Sequence, residues 1–394
     1  MRHIFVTQDY GPDRGGMARR HVELVRRFAN ESERMEVSTV RIDGDTEFDR
    51  GERYRINRQP FQFREANRFI NQVQWASWLT QYSRSQIDVI HCGNIRPAGY
   101  AVGWTRMRLS IPYIVYVNGG DLLRERQKAE KSGLKRRTSR EILGTASGIA
   151  ATSQWVADLA SDVMREAGVT NPPPVAALAL GTDPETFSAS RDTGGLRSKW
   201  RAGDAPIILT VARLVPHKGQ DVVVRALPEL AKEFPDVKYV VVGEGHDETR
   251  LREISIELGV EDRVIFAGAL SEDDLPEAYA TATIYAGPSR VDNEINVEGF
   301  GISFLEASSS GLPVVAGDSG GVRSAVRDGE TGVVLPPRDV DAWVATLGDL
   351  LRNDARRKLL GDAGRKAVEN HYNWDRVARD TREFTLAVTK GTRR

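Results

Sequence analysis

Val297-Glu298-Gly299-Phe300-Gly301-Ile302-Ser303-Phe304-Leu305-Glu306-Ala307 is the stretch from which the fold and its site can be worked out. A Gly-Phe-Gly turn stands between two carboxylates and leads into an apolar run that predicts a helix start. Glycines opening a helix offer the leading backbone N–H groups and the positive end of the helix dipole to an anion. The spacing puts Glu298 just before the turn and Glu306 about one and a half turns into the helix. An anion site flanked by two carboxylates suits a ligand that carries both phosphates and hydroxyls.

With 394 residues, 40% apolar and 28% charged, the chain has room for two ordinary domains and a globular composition. Lys+Arg and Asp+Glu balance at 55 each, so no global positive field points to a nucleic-acid partner. One cysteine, Cys92, excludes an internal disulfide framework and suits a reducing compartment. The apolar run after Met1 is too short for a signal peptide, and no stretch approaches the ~20 apolar residues of a spanning helix. The expected location is the cytoplasm, either in free solution or at the inner face of a membrane.

Apolar runs of strand length alternate with helical patterns, which predicts an α/β architecture of parallel sheets covered by helices. In the first half strands are expected at 4–7, 35–40, 88–91, 113–117 and 148–152. The loop after the first carries Gly15-Gly16, a pair that either lets a ligand approach the backbone or makes a tight turn. His91-Cys92-Gly93-Asn94 and Asn118-Gly119-Gly120-Asp121 follow later strands and open at the carboxyl edge of the sheet, where ligands bind in such folds. His91 reads as a strand-end histidine satisfied by the backbone or as a chemical group, and Cys92 as a small buried apolar residue. Trp75 and Trp78 read as core or groove wall. From 124 to 140 eight Lys/Arg stand against Glu125 and Glu130. That run is either a solvated helix face or a patch for an anionic lipid surface or anionic acceptor.

Asn171-Pro172-Pro173-Pro174 interrupts helix formation before a strand at 175–180. A polar connector follows, which places the domain boundary at 187/188. A second alternation starts at 206–211 and continues at 238–242, 263–267, 283–286, 312–316 and 332–335. Its first strand runs into Arg213-Leu214-Val215-Pro216-His217-Lys218. A planar guanidinium and a compact ammonium flanking one turn suit a diphosphate. Val242-Gly243-Glu244-Gly245 leaves room for a ligand, and the small-residue edge ending at Leu270 can offer backbone groups to a planar base. The tail, 373–394, reads as an amphipathic helix with Trp374, Val377, Phe384 and Leu386 on one side, able to return over the first domain. HExxH, Walker A, GxSxG and a strand-end DxD are all missing, so no metal site is assigned.

With these residues in place, the chain resembles the retaining GT-B glycosyltransferases of family GT4, over nearly its whole length and most densely from 206 to 336. The family's E-x7-E element stands as Glu298 to Glu306, its Arg/Lys pair as Arg213 and Lys218, and its first-domain glycine pair as Gly15-Gly16. Its further elements stand as Val242-Gly243-Glu244-Gly245, Arg263-Val264-Ile265-Phe266-Ala267-Gly268 and Pro288-Ser289. The resemblance implies two Rossmann-like doubly wound domains, 1–187 and 188–372, facing across a cleft, with the 373–394 helix packing back toward the first. It implies transfer of a hexose from a UDP- or GDP-sugar to an acceptor hydroxyl, in glycolipid or cell-envelope polysaccharide synthesis. In that scheme Glu306 holds the ribose and Glu298 the donor sugar, with the backbone of Gly299, Phe300, Gly301 and Ile302 adding contacts. Arg213 and Lys218 hold the diphosphate, Leu270 and Gly243 line the nucleotide, and Gly15 and Gly16 approach the donor. His91, Asn118 and Gly119 fall on the acceptor and sugar side. No cofactor or metal is required, the leaving phosphate takes the acceptor's proton, and the acceptor is anionic or lipid-linked, with membrane contact through 124–140. One position departs from the family: Asn118 stands where many members carry histidine, and asparagine cannot carry a proton. A non-catalytic nucleotide-sugar-binding GT-B protein is the alternative.

Overall fold

Runs such as Tyr113-Ile114-Val115-Tyr116-Val117 are buried along their whole length, the pattern of parallel strands covered on both faces. The computed structural model, which describes residues 1–13, 15–28, 34–60, 68–84 and 87–390, pairs them into two parallel sheets. Among the described residues the first sheet contains β1 (Arg2–Val6), β2 (Arg34–Val40), β3 (Ile56–Gln59), β4 (Val89–Cys92), β5 (Tyr113–Val117), β6 (Gly148–Ala151) and β7 (Val175–Ala177), ordered β3-β2-β1-β4-β5-β6-β7. The second contains β8 (Ile207–Val211), β9 (Lys238–Val242), β10 (Val264–Gly268), β11 (Ile284–Gly287), β12 (Val314–Gly317) and β13 (Gly332–Leu335), ordered β10-β9-β8-β11-β12-β13. The order reverses between β1 and β4 in one sheet and between β8 and β11 in the other. At such switch points the loops leaving the carboxyl ends diverge and open a crevice. β3 falls outside the sequence expectation: Ile-Asn-Arg-Gln is an edge strand that pairs through its backbone with β2 and has no apolar run to betray it.

Each sheet has its own core. Ile4, Ile90, Val115 and Ile149 pack with Trp75 and Leu143 in the first. Ile208, Val241, Ile284 and Val315 pack with Leu227 and Trp343 in the second. Fully burying each such aliphatic side chain contributes about 1.5–3 kcal/mol. Trp75 is wholly buried, with its indole N–H donating to Ser38 Oγ at 2.8 Å, so it belongs to the core.

The chain divides into Met1–Ala179 with Trp374–Arg394, and Leu180–Asn373. The boundary therefore precedes the expected 187/188, because residues 180–187 are bound into the second unit. Thr182 N–H donates to the Tyr372 carbonyl, Ser309 Oγ to the Phe187 carbonyl, and Arg365 Nη1 to the carbonyls of Pro184 and Phe187. The Phe187 ring stands edge-on to Tyr279 at 5.6 Å. The last helix, Trp374–Thr389, lies in the first unit against helix Gly16–Phe28 and β6. Phe384 there fills the space beside Gly148, where a Cβ would come within 2.7 Å of its ring. The buried stripe of this helix is partly threonine: Thr381, Thr385 and Thr389 return their hydroxyls to the carbonyls four residues back and remain buried.

Candidate active site

In the second unit the loops after β8, β11 and β12 meet at the switch point. The segment after β8 ends in a short turn, Pro216–Lys218, and the segment after β11 carries Pro288 to Gly301. Arg290 ties the second to the first: its N–H donates to the His217 carbonyl at 2.8 Å, and its largely buried guanidinium pairs at 2.9 Å with Asp221 in the helix that follows the turn. Gly321 N–H donates to the Glu298 carbonyl at 2.8 Å, which fixes the β12 loop to the same backbone.

Lys218 Nζ lies 2.5 Å from Glu298 Oε2, and Ser289 Oγ donates to the same oxygen at 3.3 Å. The two charged side chains are 18% and 14% exposed. Burial opposes ionisation of Glu298, but the Lys218 ammonium, with His217 and the Ser289 hydroxyl, outweighs it and holds the carboxyl below its ordinary range. His217 is lowered to about 4, by burial first and then by Lys218, so its ring is neutral near pH 7. Lys218 and Glu298, to which the resemblance gives the diphosphate and the donor sugar, are thus joined directly. An ammonium has three donors, and Glu298 takes one. Arg213 is exposed at the end of β8, and its carbonyl accepts from the buried Gln220 Nε2 at 3.1 Å.

Helix Ile302–Ser309 starts at Gly301, which has φ 94° and no side-chain cap. A Cβ on Gly301 would lie 2.4 Å from the Phe304 ring, so both backbone angle and packing demand glycine. Without a side-chain cap, the first amides of the helix are offered outward. Glu306 is 4% exposed, and one of its carboxylate oxygens accepts from Tyr279 Oη at 2.6 Å. The Phe300 side chain is 2% exposed and packs edge-on to Tyr372, so only its backbone is placed to meet a ligand. Gly299 and Ile302 are partly buried beside it, and Leu270 follows β10, also partly buried. Gly243 has φ 129°, and a Cβ there would meet the Ala212 carbonyl at 2.1 Å. That glycine answers to the packing of the neighbouring loop.

In the first unit Gly15 and Gly16 lead into helix Gly16–Phe28. A Cβ on Gly15 would meet only Asp13 Oδ1, at 3.5 Å, so packing does not require glycine there. Asn118 ends β5, and Gly119, with φ 96°, precedes helix Gly120–Lys131. The Asn118 carboxamide oxygen accepts from Arg20 Nη1 at 3.1 Å, and its Nδ2 faces Met17 Sδ at 3.0 Å. Arg20 is 1% exposed and its guanidinium lies 4.9 Å from the Tyr116 ring centre. Burial lowers its pKa to about 10, which leaves it charged at neutral pH. Arg20 escaped the sequence analysis; its one signal was a charged residue on the inward face of an amphipathic helix.

His91 is not an acceptor-side residue. It is wholly buried in β4, with Nδ1 2.8 Å from Tyr116 Oη and Nε2 3.0 Å from His3 Nδ1. Burial, then His3, pushes its pKa well below the ordinary value. The basic run forms two helices, Gly120–Lys131 and Gly133–Gly144. Arg126 pairs with Glu166, and Glu125 is buried against Arg96 at 2.7 Å. Lys131, Arg136, Arg137 and Arg140 are exposed, as is Leu134. Among the described residues no group of three or more His, Cys, Asp or Glu could hold a metal ion, and no helix is long and apolar enough to cross a membrane.

Two family models match this chain: glycosyl transferases group 1 over residues 196–367 and glycosyltransferase family 4 over residues 14–172. The chain is 40% identical over 199 residues to the GDP-mannose-dependent alpha-(1-6)-phosphatidylinositol monomannoside mannosyltransferase of Mycolicibacterium smegmatis, covering 50% of this chain and 52% of that protein. It is 32% identical over 250 residues to the D-inositol 3-phosphate glycosyltransferase of Acidothermus cellulolyticus, covering 60% of this chain and 53% of that one. These alignments span about half the length of the curated relatives. Among solved structures, HepE of Anabaena in complex with UDP and glucose is 18% identical with a TM-score of 0.78, covering 98% of this chain and 100% of that one. Sucrose-phosphate synthase from Thermosynechococcus elongatus is 20% identical with a TM-score of 0.79, covering 99% of each. Those likenesses establish the fold, GT-B.

Proposed function

We propose, for a chain that belongs to glycosyltransferase group 1, family 4, that it transfers a hexose from a nucleoside-diphosphate sugar to an acceptor hydroxyl with retention of configuration. The observation that carries the reading is the Lys218–Glu298 pair at the switch point, beside the uncapped start of helix Ile302–Ser309. Lys218, Arg213 and the leading amides bind the diphosphate and stabilise the charge that grows on it as the sugar departs. Glu298, kept ionised by Lys218, accepts from the sugar hydroxyls. Glu306, oriented by Tyr279, accepts from the ribose. The leaving phosphate takes the acceptor's proton, since Asn118 cannot, and the reaction needs no metal.

The relatives' names make GDP-mannose the first donor to try and a phosphoinositide or inositol phosphate the first acceptor. The exposed cations Lys131, Arg136, Arg137 and Arg140, with Leu134 among them, form the face through which the protein meets an anionic membrane surface. The test is a panel of UDP-, GDP- and ADP-sugars with product analysis on each acceptor. Donor-dependent product with the donor's anomeric configuration is expected. Failure to bind or hydrolyse any donor would overturn the reading, and tight donor binding with neither transfer nor hydrolysis would identify a non-catalytic binder.

A further inference from the structure

Residues 288–297 carry the chain from the end of β11 to Glu298, and most of them are polar, with few apolar side chains to anchor the loop. The loop folds back on itself instead. Asp292 N–H donates to the Asn296 carbonyl at 2.9 Å, and Asn296 N–H returns the bond at 3.0 Å. Between them the chain reverses through Asn293 and Glu294, both at positive φ, 48° and 59°. Val291, Asn293 and Glu294 are exposed, so the tip holds nothing in place. The position of Glu298 is therefore set by the two legs of the loop. The outgoing leg is fixed at its end: Gly321 N–H donates to the Glu298 carbonyl, and a Cβ on Gly320 would come within 2.5 Å of that same oxygen.

The incoming leg is fixed by Arg290. Its side chain is 9% exposed, with Nη1 donating to Asp221 Oδ2 at 3.2 Å and Nη2 lying 2.9 Å from Oδ1. Asp221 stands in the first turn of helix Gln220–Glu233, just after the turn that carries Lys218, where the helix dipole favours its charge. The Arg290 N–H donates to the carbonyl of His217, the residue before Lys218. The Lys218–Glu298 contact, the loop and the Arg290–Asp221 pair thus close a ring within one unit.

A buried ion pair adds little net stability once the desolvation of both groups is counted. What a planar fork on a fixed carboxylate does supply is register. We propose that Arg290, held by Asp221, is the positioning residue that keeps Glu298 against Lys218. Its fork is committed to Asp221, so it acts through Glu298. A displacement of about 1 Å at a group that holds the reacting sugar can cost about 10²-fold in rate.

The kinetic arm of the test rests on the transferase reading, and the coupling arm does not. Urea unfolding of wild type, Lys218→Met, Glu298→Gln and their double variant, repeated with Arg290→Met added to each, reads the Lys218–Glu298 coupling as a ratio of unfolding constants. Arg290→Met should shrink that ratio at least about fivefold. With the best donor, Arg290→Met should lower kcat about 10- to 10²-fold and change GDP affinity less than about threefold, because GDP carries no sugar for Glu298 to hold. In the Glu298→Gln background the same substitution should lower kcat by no more than about twofold. Arg250→Met, which removes a guanidinium 3.5 Å from the same Asp221, should leave both coupling and kcat unchanged. An absent coupling in wild type, an undiminished one with Arg290→Met, or a kcat loss that persists in full with Glu298→Gln overturns the proposal. Should Arg290→Met not fold, Asp221→Asn/Arg290→Met, which leaves no buried charge unpaired, replaces it in both arms. A wild type that turns over no donor refutes the transferase, and the coupling arm then decides on Arg290 by itself.

Discussion

Replacing Lys218 by methionine and Glu298 by glutamine, singly and together, tests the centre of the proposed site. The two groups are 2.5 Å apart and at most 18% exposed. At an effective dielectric of about 20, unit charges at that distance attract by roughly 6–7 kcal/mol. Desolvating both groups offsets most of this, and a hydrogen bond between charged partners nets about 1.5–3 kcal/mol. Each single variant leaves the other group buried without its partner, so each should lose about 2–4 kcal/mol of unfolding free energy. The double variant should lose less than their sum, by about 1.5 kcal/mol or more. Urea unfolding of the four proteins at pH 7 measures the coupling. Its pH dependence has a definite sign. The folded carboxyl of Glu298 is held below 4.5, so the coupling is complete above that pH and disappears as pH falls through the lowered value. The same Lys218→Met variant should lose about 10²–10³ in kcat/KM with its best donor. A coupling under ~0.5 kcal/mol would show that the contact is incidental, and near-full turnover would remove Lys218 from the diphosphate.

Four further outcomes follow from the geometry and the charges. Tyr279→Phe removes the 2.6 Å bond to the buried Glu306 and should cost about 1–3 kcal/mol in urea unfolding, with weaker nucleotide binding by titration. Gly301→Ala forces a Cβ into the Phe304 ring at φ 94°, costing at least about 1–3 kcal/mol from the backbone alone. Gly15→Ala, with nothing closer than 3.5 Å, should stay within ~0.5 kcal/mol of wild type and yet impair transfer; thermal melts and turnover on the same samples separate the two. His217 is lowered from 6.5 to about 4. Between those values the unfolded chain binds a proton that the folded one does not, so stability falls as pH drops from 6.5 to 4. His217→Gln should flatten that part of the pH–stability curve.

Both sheets were legible because parallel strands buried on two faces must be written as continuous apolar runs. Where a strand is short, polar and at the edge, the sequence is silent: β3 carries Arg and Gln. The last helix was legible as amphipathic, but not the threonines on its buried stripe, whose hydroxyls are satisfied within the helix. The contact-based division falls before 187/188 for a related reason. The residue types of the turn at 181–187 do not say which unit it joins, and its bonds to Tyr372, Ser309 and Arg365 tie it to the second. In the site, residue types at strand ends identified Lys218 and Glu298, but a contact between groups eighty residues apart exists only once the sheet order brings the β8 and β11 loops together.

Asn118 shows how a departure read from one position can change meaning when its neighbour is known. Against the family pattern, asparagine for histidine looks like the loss of a proton carrier. In the fold, its carboxamide oxygen is committed to Arg20, a buried cation stacked near Tyr116. Arginine only donates, so the bond sets which end of the carboxamide faces it and leaves Nδ2 as the end directed elsewhere. A histidine in the same place would bring a ring nitrogen against that guanidinium, where protonation is disfavoured by like charge and burial together. With Arg20 beneath it, position 118 is suited to a neutral hydrogen-bonding group. Asn118→His alone should therefore yield a neutral ring rather than an acid, and an acid–base role would be recovered only if Arg20 changed with it. A pH–rate profile of Asn118→His that gained a new titration near pH 6.5 with Arg20 intact would refute this coupling.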